Sequence, residues 1–119
     1  MKLTLPNIFL RIEGFVLFII ASIMFFNQNG SWILYIALLF LPDIGMTGYI
    51  MNTKLGAITY NLFHTTSIPL ILLIIFFVTQ QYSLLIFGFV WLAHIGMDRV
   101  AGFGLKYTDN FKHTHIQEV

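Results

Sequence analysis

Long apolar runs alternate with short polar clusters along the chain. Residues 8–26, 32–51, 55–78 and 82–101 are predominantly apolar, with scattered polar residues. Runs of about 20 such residues cross roughly 30 Å of hydrocarbon as α-helices, so the pattern predicts four membrane spans. The clusters between them, 27–31 (Asn-Gln-Asn-Gly-Ser), 52–54 (Asn-Thr-Lys) and 79–81 (Thr-Gln-Gln), have turn composition. Connections this short make neighbouring helices antiparallel. The expected fold class is all-α: a polytopic four-transmembrane-helix bundle over residues 1–101, and a short polar tail, 102–119, which turns back over it after Gly102 and Gly104.

The basic residues orient this bundle. Lys2, Arg11, Lys54, Arg99, Lys106 and Lys112 lie near the start of span one, between spans two and three, or at and beyond the end of span four. The other two loops carry no Lys or Arg, so the positive-inside bias predicts cytoplasmic termini and a cytoplasmic middle loop. Threaded in that way, Glu13, Asp43, Asn61, His64, His94, Asp98 and Arg99 all fall in the cytoplasmic half. An ionisable group at mid-helix costs about 2.5 to 3.5 kcal/mol on insertion scales, so several at one level mark a site.

Composition narrows the alternatives. With 58% hydrophobic and 9% charged residues in 119, the sequence leaves no room for a separate soluble domain. A formal charge of +1 argues against nucleic acid as a partner and leaves membrane lipids, with a homo-oligomer as a further option. There is no cysteine, which excludes disulfides and thiolate ligands.

What remains for chemistry is histidine and carboxylate. His94 and Asp98 are four apart and share a helix face with Trp91, and Asn61 and His64 are three apart on the preceding span. An offset of 51 residues aligns the two hairpins without gaps, setting Asp43 on His94 and Glu13 on His64, as a parallel duplication would. The expected metal ligands are therefore Glu13, Asp43, His64 and His94, one from each span. Two imidazoles with carboxylates suit a divalent Zn, Mn or Fe ion better than Mg or Ca. Asp98 would orient His94 or act as a general base, Arg99 would meet an anionic head group, and Asn61 reads as an interhelical hydrogen bonder. Pro42, directly before Asp43, and Pro69 predict kinks that release the Leu38 and Thr65 carbonyls.

Several short motifs extend across almost the whole chain: Leu10-Arg11-Ile12-Glu13-Gly14, Pro42-Asp43, Tyr60-Asn61 with His64-Thr65, and His94-Ile95-Gly96 with Asp98-Arg99. Gly102-Phe103-Gly104-Leu105-Lys106-Tyr107 with Thr114-His115 completes them. In these the chain resembles the bacterial membrane family called domain of unknown function 4260. The resemblance implies a four-helix protein of the bacterial cytoplasmic membrane, names no activity, and adds His115 to Asp98 and Arg99 as candidate catalytic residues. Small membrane-bound metal-dependent hydrolases are similar in combining intramembrane His and Asp with a late Thr-His element, at other spacings. The reading that results is a metal-dependent hydrolase of a lipid or lipid-linked substrate. The alternative is a non-enzymatic proton or ion relay, sensor or structural subunit.

Overall fold

The computed structural model describes residues 3–119, so Lys2, one of the basic residues used to orient the chain, lies outside the described residues. Four stretches are long and apolar enough to cross a membrane, Leu5–Asn27, Trp32–Ile50, Thr53–Thr79 and Tyr82–Ala101. The first is one helix, α1 (Leu5–Asn27), started by Thr4, whose hydroxyl accepts the Asn7 N–H at 3.3 Å. The last is also one helix, α5 (Tyr82–Ala101), stopped at Gly102, whose φ of 91° is left-handed. Packing along α1 is close because its buried positions include Gly14 and Ala21. A Cβ at Gly14 would stand 2.9 Å from the Gly96 carbonyl of α5, so the two backbones touch where these glycines meet.

The two middle spans depart from uninterrupted helices. The second is α2 (Trp32–Leu39) followed by a 3-10 helix, Leu41–Ile50. Runs of 3-10 helix beyond three or four residues are uncommon, and the sequence explains this one. Pro42 has no N–H to continue the α-helical ladder. From there Pro42, Gly45 and Gly48 recur every third residue and all three are buried. At three residues per turn they form one straight, flat stripe. That stripe lies on α3 (Thr53–His64): the Thr59 hydroxyl donates to the Gly45 carbonyl at 2.7 Å, and a Cβ at Gly48 would collide with the same hydroxyl.

The third span breaks after His64. Thr65 is extended, at φ −83° and ψ 142°, and α4 (Ser67–Thr79) begins two residues later. The break falls one turn before Pro69, whose ring excludes a helical carbonyl four residues earlier. It leaves the last carbonyls of α3 without helical partners in an apolar setting, where each unsatisfied group costs several kcal/mol. Neighbouring α5 supplies the donors. Trp91 Nε1 donates to the Phe63 carbonyl at 2.6 Å and Arg99 Nη2 to the His64 carbonyl at 3.4 Å.

Helix α5 is central: α1, α2 and α4 all pack against it, while the 3-10 segment packs on α3. The core at the end far from the tail is Ala21, Phe25, Tyr35, Leu39, Val90, Leu92 and Ala93. Phe25, Phe26, Trp32 and Tyr35 add edge and tilted ring contacts there, with centroids 4.6 to 6.1 Å apart. Such pairs contribute about 0.5 to 1.5 kcal/mol each beyond burial.

The tail is tied down at two places. Asn61 accepts the Lys106 N–H at 2.6 Å and donates to the Lys106 carbonyl at 2.9 Å, as a neighbouring strand would. Asn7, fully buried, donates to the Ile116 carbonyl at 2.8 Å. Between these anchors the tail pairs with itself through an antiparallel bridge, Lys106 to Thr114, and ends in the single turn α6 (His115–Glu118).

Candidate metal centre

His64 ends α3, Asp43 lies in the first turn of the 3-10 segment, and His94 and Asp98 occupy successive turns of α5. The two structural interruptions and one regular helix thus deliver all four side chains to one level. His64 Nε2 is 3.1 Å from His94 Nε2, 3.4 Å from Asp43 Oδ1 and 3.4 Å from Asp98 Oδ2. His94 Nε2 is 3.3 Å from Asp43 Oδ1 and 3.2 Å from Asp98 Oδ2. All four donor atoms lie within 4.8 Å of one another, a group that can hold a metal ion.

Several features support that use. Donors roughly 2.0 Å from a common centre stand about 3.3 Å apart at the corners of a tetrahedron, and five of the six separations match. The hydrogen bonding of His64 sets its tautomer: its Nδ1 lies 2.8 Å from the Tyr60 carbonyl, which can only accept, so Nδ1 carries the proton. The neutral ring then points its Nε2 lone pair at the shared point. A histidine ligand held through its other nitrogen by a carbonyl is the usual arrangement at metal sites. The Tyr60 ring stacks on His64 at 3.7 Å and 5°, which fixes the plane of the imidazole. His94 Nδ1 is buried without a hydrogen bond, with the Leu39 backbone close by.

Burial grades across the group. His64 is 3% and His94 1% exposed, Asp98 15% and Asp43 35%. Access is therefore from the Asp43 side. Two carboxylates facing two imidazole nitrogens at these distances form a negative, low-dielectric pocket that a dication would neutralise.

The ligand set expected from the sequence is corrected at one position. Glu13 is exposed and lies outside the group, and Asp98 takes the fourth place. The reason is rotational: Gly14 is the α1 residue buried against α5, which turns the adjacent Glu13 about 100° away toward the flank, near Arg99. Glu13 and His64, which the offset of 51 residues aligns, thus stand in different settings: α1 is unbroken where the third span divides at Thr65. Arg99 lies beside Asp98 and spends one donor on the His64 carbonyl. His115 is also outside the group. Its Nδ1 accepts the Leu105 N–H at 2.9 Å, leaving the proton on Nε2, and burial with the nearby Arg99 pushes its pKa down.

A family model described as domain of unknown function (DUF4260) matches residues 7–119. The chain belongs to that family. No curated protein and no solved structure matches it. In this DUF4260 chain several of the sequence motifs carrying the family likeness take part in the polar contacts of the site. Pro42-Asp43, His64 and His94 with Asp98 form the group, and Tyr60-Asn61 joins it to the tail. Three participants carried no sequence signal of their role. Trp91 caps a broken helix, Tyr60 fixes a ligand plane, and Lys106 is buried with its Nζ between the Tyr60 ring (4.6 Å) and the Phe111 ring (3.9 Å).

Proposed function

We propose that this protein is a membrane-embedded divalent-metal protein, and that the metal serves hydrolysis of a lipid or lipid-linked substrate. One observation carries the reading: four donor atoms from three separate helical segments converge, five of their six separations at 3.1 to 3.4 Å, with the Nε2 lone pair of His64 facing inward. Zn fits the tetrahedral spacing best, with Mn and Fe next on the donor set. His64, His94 and Asp98 are the enclosed ligands. Asp43, the most exposed of the four, either completes the shell or accepts a proton at its open side. A bound dication supplies Lewis acidity and a lowered pKa for water. Arg99, with donors to spare beside Asp98, suits an anionic head group. Orientation with the tail toward the cytoplasm follows from the loop charges.

The test is elemental analysis of the detergent-purified protein after equilibration with Zn, Mn or Fe salts. One ion per chain is expected in the wild type and none in His64→Ala or His94→Ala. Equal metal in the wild type and both variants would defeat the proposal.

A further inference from the structure

Lys106 belongs to the tail, yet it is buried against α3, at 7% exposure. Its path is fixed by the residues around it. Leu105 exchanges two hydrogen bonds with His115: its N–H donates to Nδ1 at 2.9 Å, and its carbonyl accepts the His115 N–H at 3.0 Å. Asn61 grips the Lys106 backbone, and the Tyr107 N–H donates to the His113 carbonyl at 2.9 Å. From a backbone held on both sides, the stem runs to Tyr60, the residue before Asn61, and places Nζ 4.6 Å from the centre of that ring. Phe111 closes over the same ammonium at 3.9 Å and is itself braced edge-on by Tyr49. The other neighbour of the Tyr60 ring is the ligand His64, parallel to it at 3.7 Å and 5°. An imidazole that close covers its face, so an ammonium 4.6 Å over the ring occupies the opposite one. Lys106, Tyr60 and His64 form a stack of three, with the tail at one end and a metal ligand at the other.

We propose that Lys106 is a positioning residue of the metal centre: by covering the back of the Tyr60 ring it holds that ring flat on His64, and so keeps the His64 Nε2 aimed at the other three donors. The inference rests on the metal reading above and deepens it by making the centre depend on an ordered tail. His64 needs such a hold because it is the last residue of α3, directly before the extended Thr65, with no further helical turn beyond it. The Tyr60 carbonyl on Nδ1 fixes a direction for the imidazole, and only the stacked ring fixes its plane. A phenol ring keeps one rotamer when both of its faces are packed. Lysine suits the second face, since an aromatic face attracts a cation, more strongly away from water, and the lysine stem fills the approach to it. Anchoring the tail would not require this side chain, because Asn61 already holds the Lys106 backbone by two bonds.

The experiment is NMR of the full chain in detergent with isotope-labelled histidine, recorded without metal and then during titration with Zn against a competing chelator. The His64 ring signals are assigned by their absence from His64→Ala. In the wild type the stacked Tyr60 ring should shield the His64 ring protons and shift them upfield, and in Lys106→Ala they should move back downfield. Zn affinity should fall in the same variant by at least about tenfold, the usual cost of losing a support behind a metal ligand. Lys106→Arg, whose planar guanidinium stacks on aromatic faces, should restore both readouts. If the alanine variant does not fold, Lys106→Met, which keeps a stem and removes the charge, is read in the same way. A lysine that only tethers the tail would leave the His64 resonances in place, and that result would overturn the proposal. So would unchanged affinity in a protein whose wild type binds Zn. Since the first readout needs no ion, the two readings part: resonances that move in a protein taking up no Zn would sink the metal centre and keep Lys106 as the brace of His64.

Discussion

Histidine meets carboxylate twice in this molecule, to opposite effect. In the bundle, His64 and His94 each turn one nitrogen toward the same pair of carboxylates, so four donor atoms crowd around one point. In the tail, His113 turns its two nitrogens outward to different partners: Nδ1 lies 2.8 Å from Asp109 and Nε2 2.5 Å from Glu118. The first arrangement keeps the Nε2 lone pair of His64 free for a cation. The second consumes both ring nitrogens in holding three tail residues together, and it is solvated, with Asp109 66% and Glu118 54% exposed. Residue type is the same in both. Convergence and burial are what distinguish a ligand set from a clasp.

Mutations that remove convergence should have the largest effect. His64→Ala and His94→Ala are expected to abolish stoichiometric metal, and Asp98→Asn to weaken it by at least about 100-fold, while His113→Ala leaves it unchanged. Metal titration followed by elemental analysis distinguishes them, and equal loss in His113→Ala would erase the contrast drawn here. The next effect concerns placement. Trp91→Phe keeps a ring but leaves the Phe63 carbonyl without its 2.6 Å donor, which should cost about 1 to 3 kcal/mol and lower metal affinity without eliminating it. Thermal unfolding in detergent beside the metal titration would show both changes, and unaltered affinity would exclude Trp91 as a positioning residue.

Smaller again is the tie between the two regions. Asn61→Ala removes both bonds to the Lys106 backbone, about 2 kcal/mol at typical values, so hydrogen exchange at Lys106 should accelerate strongly while the four spans still insert. The smallest effect is the pH response of the clasp. Hydrogen bonds to Asp109 and then Glu118 push the pKa of His113 up, and the bond from His113 pulls that of Asp109 down. A raised histidine pKa contributes stability that is present below the ordinary value and lost as pH rises through the raised one. A lowered carboxylate pKa contributes stability that is lost as pH falls through the lowered one. Exchange protection of residues 107–115 should therefore peak between these limits, and His113→Ala should flatten the profile.

The four spans were legible because apolar length alone specifies them, and α5 begins and ends where the pattern places it. The interruptions were only half legible. Pro42 and Pro69 announced disturbance, but whether a proline kinks a helix, winds it into 3-10 geometry or divides it depends on which neighbour can satisfy the freed carbonyls. That neighbour, Trp91, is 28 residues away. The period of three in Pro42, Gly45 and Gly48 was present in the sequence, but it becomes a 3-10 stripe only where α3 packs flat against it. Within the site, the i, i+4 spacing of His94 and Asp98 already put both on one face, whereas the hairpin alignment promoted Glu13 in place of Asp98. The return of the tail was expected from Gly102 and Gly104, but not its clamp: Asn61, read as an interhelical hydrogen bonder, pairs instead with the Lys106 backbone 45 residues away.

The 3-10 segment also behaves as a length gauge. Its ten residues span roughly 20 Å at about 2.0 Å each, against roughly 15 Å as α-helix, and each residue turns about 120° instead of 100°. Asp43 stands three residues beyond Phe40, so rewinding that first turn to α-helix would swing its carboxylate by about 60° around the axis. Of the four donors, it alone hangs on an element whose pitch has a neighbouring alternative. His64, His94 and Asp98 ride on helices already at their relaxed pitch. A change of winding in one stretch of backbone would thus withdraw one of the four candidate donors while the other three stand still.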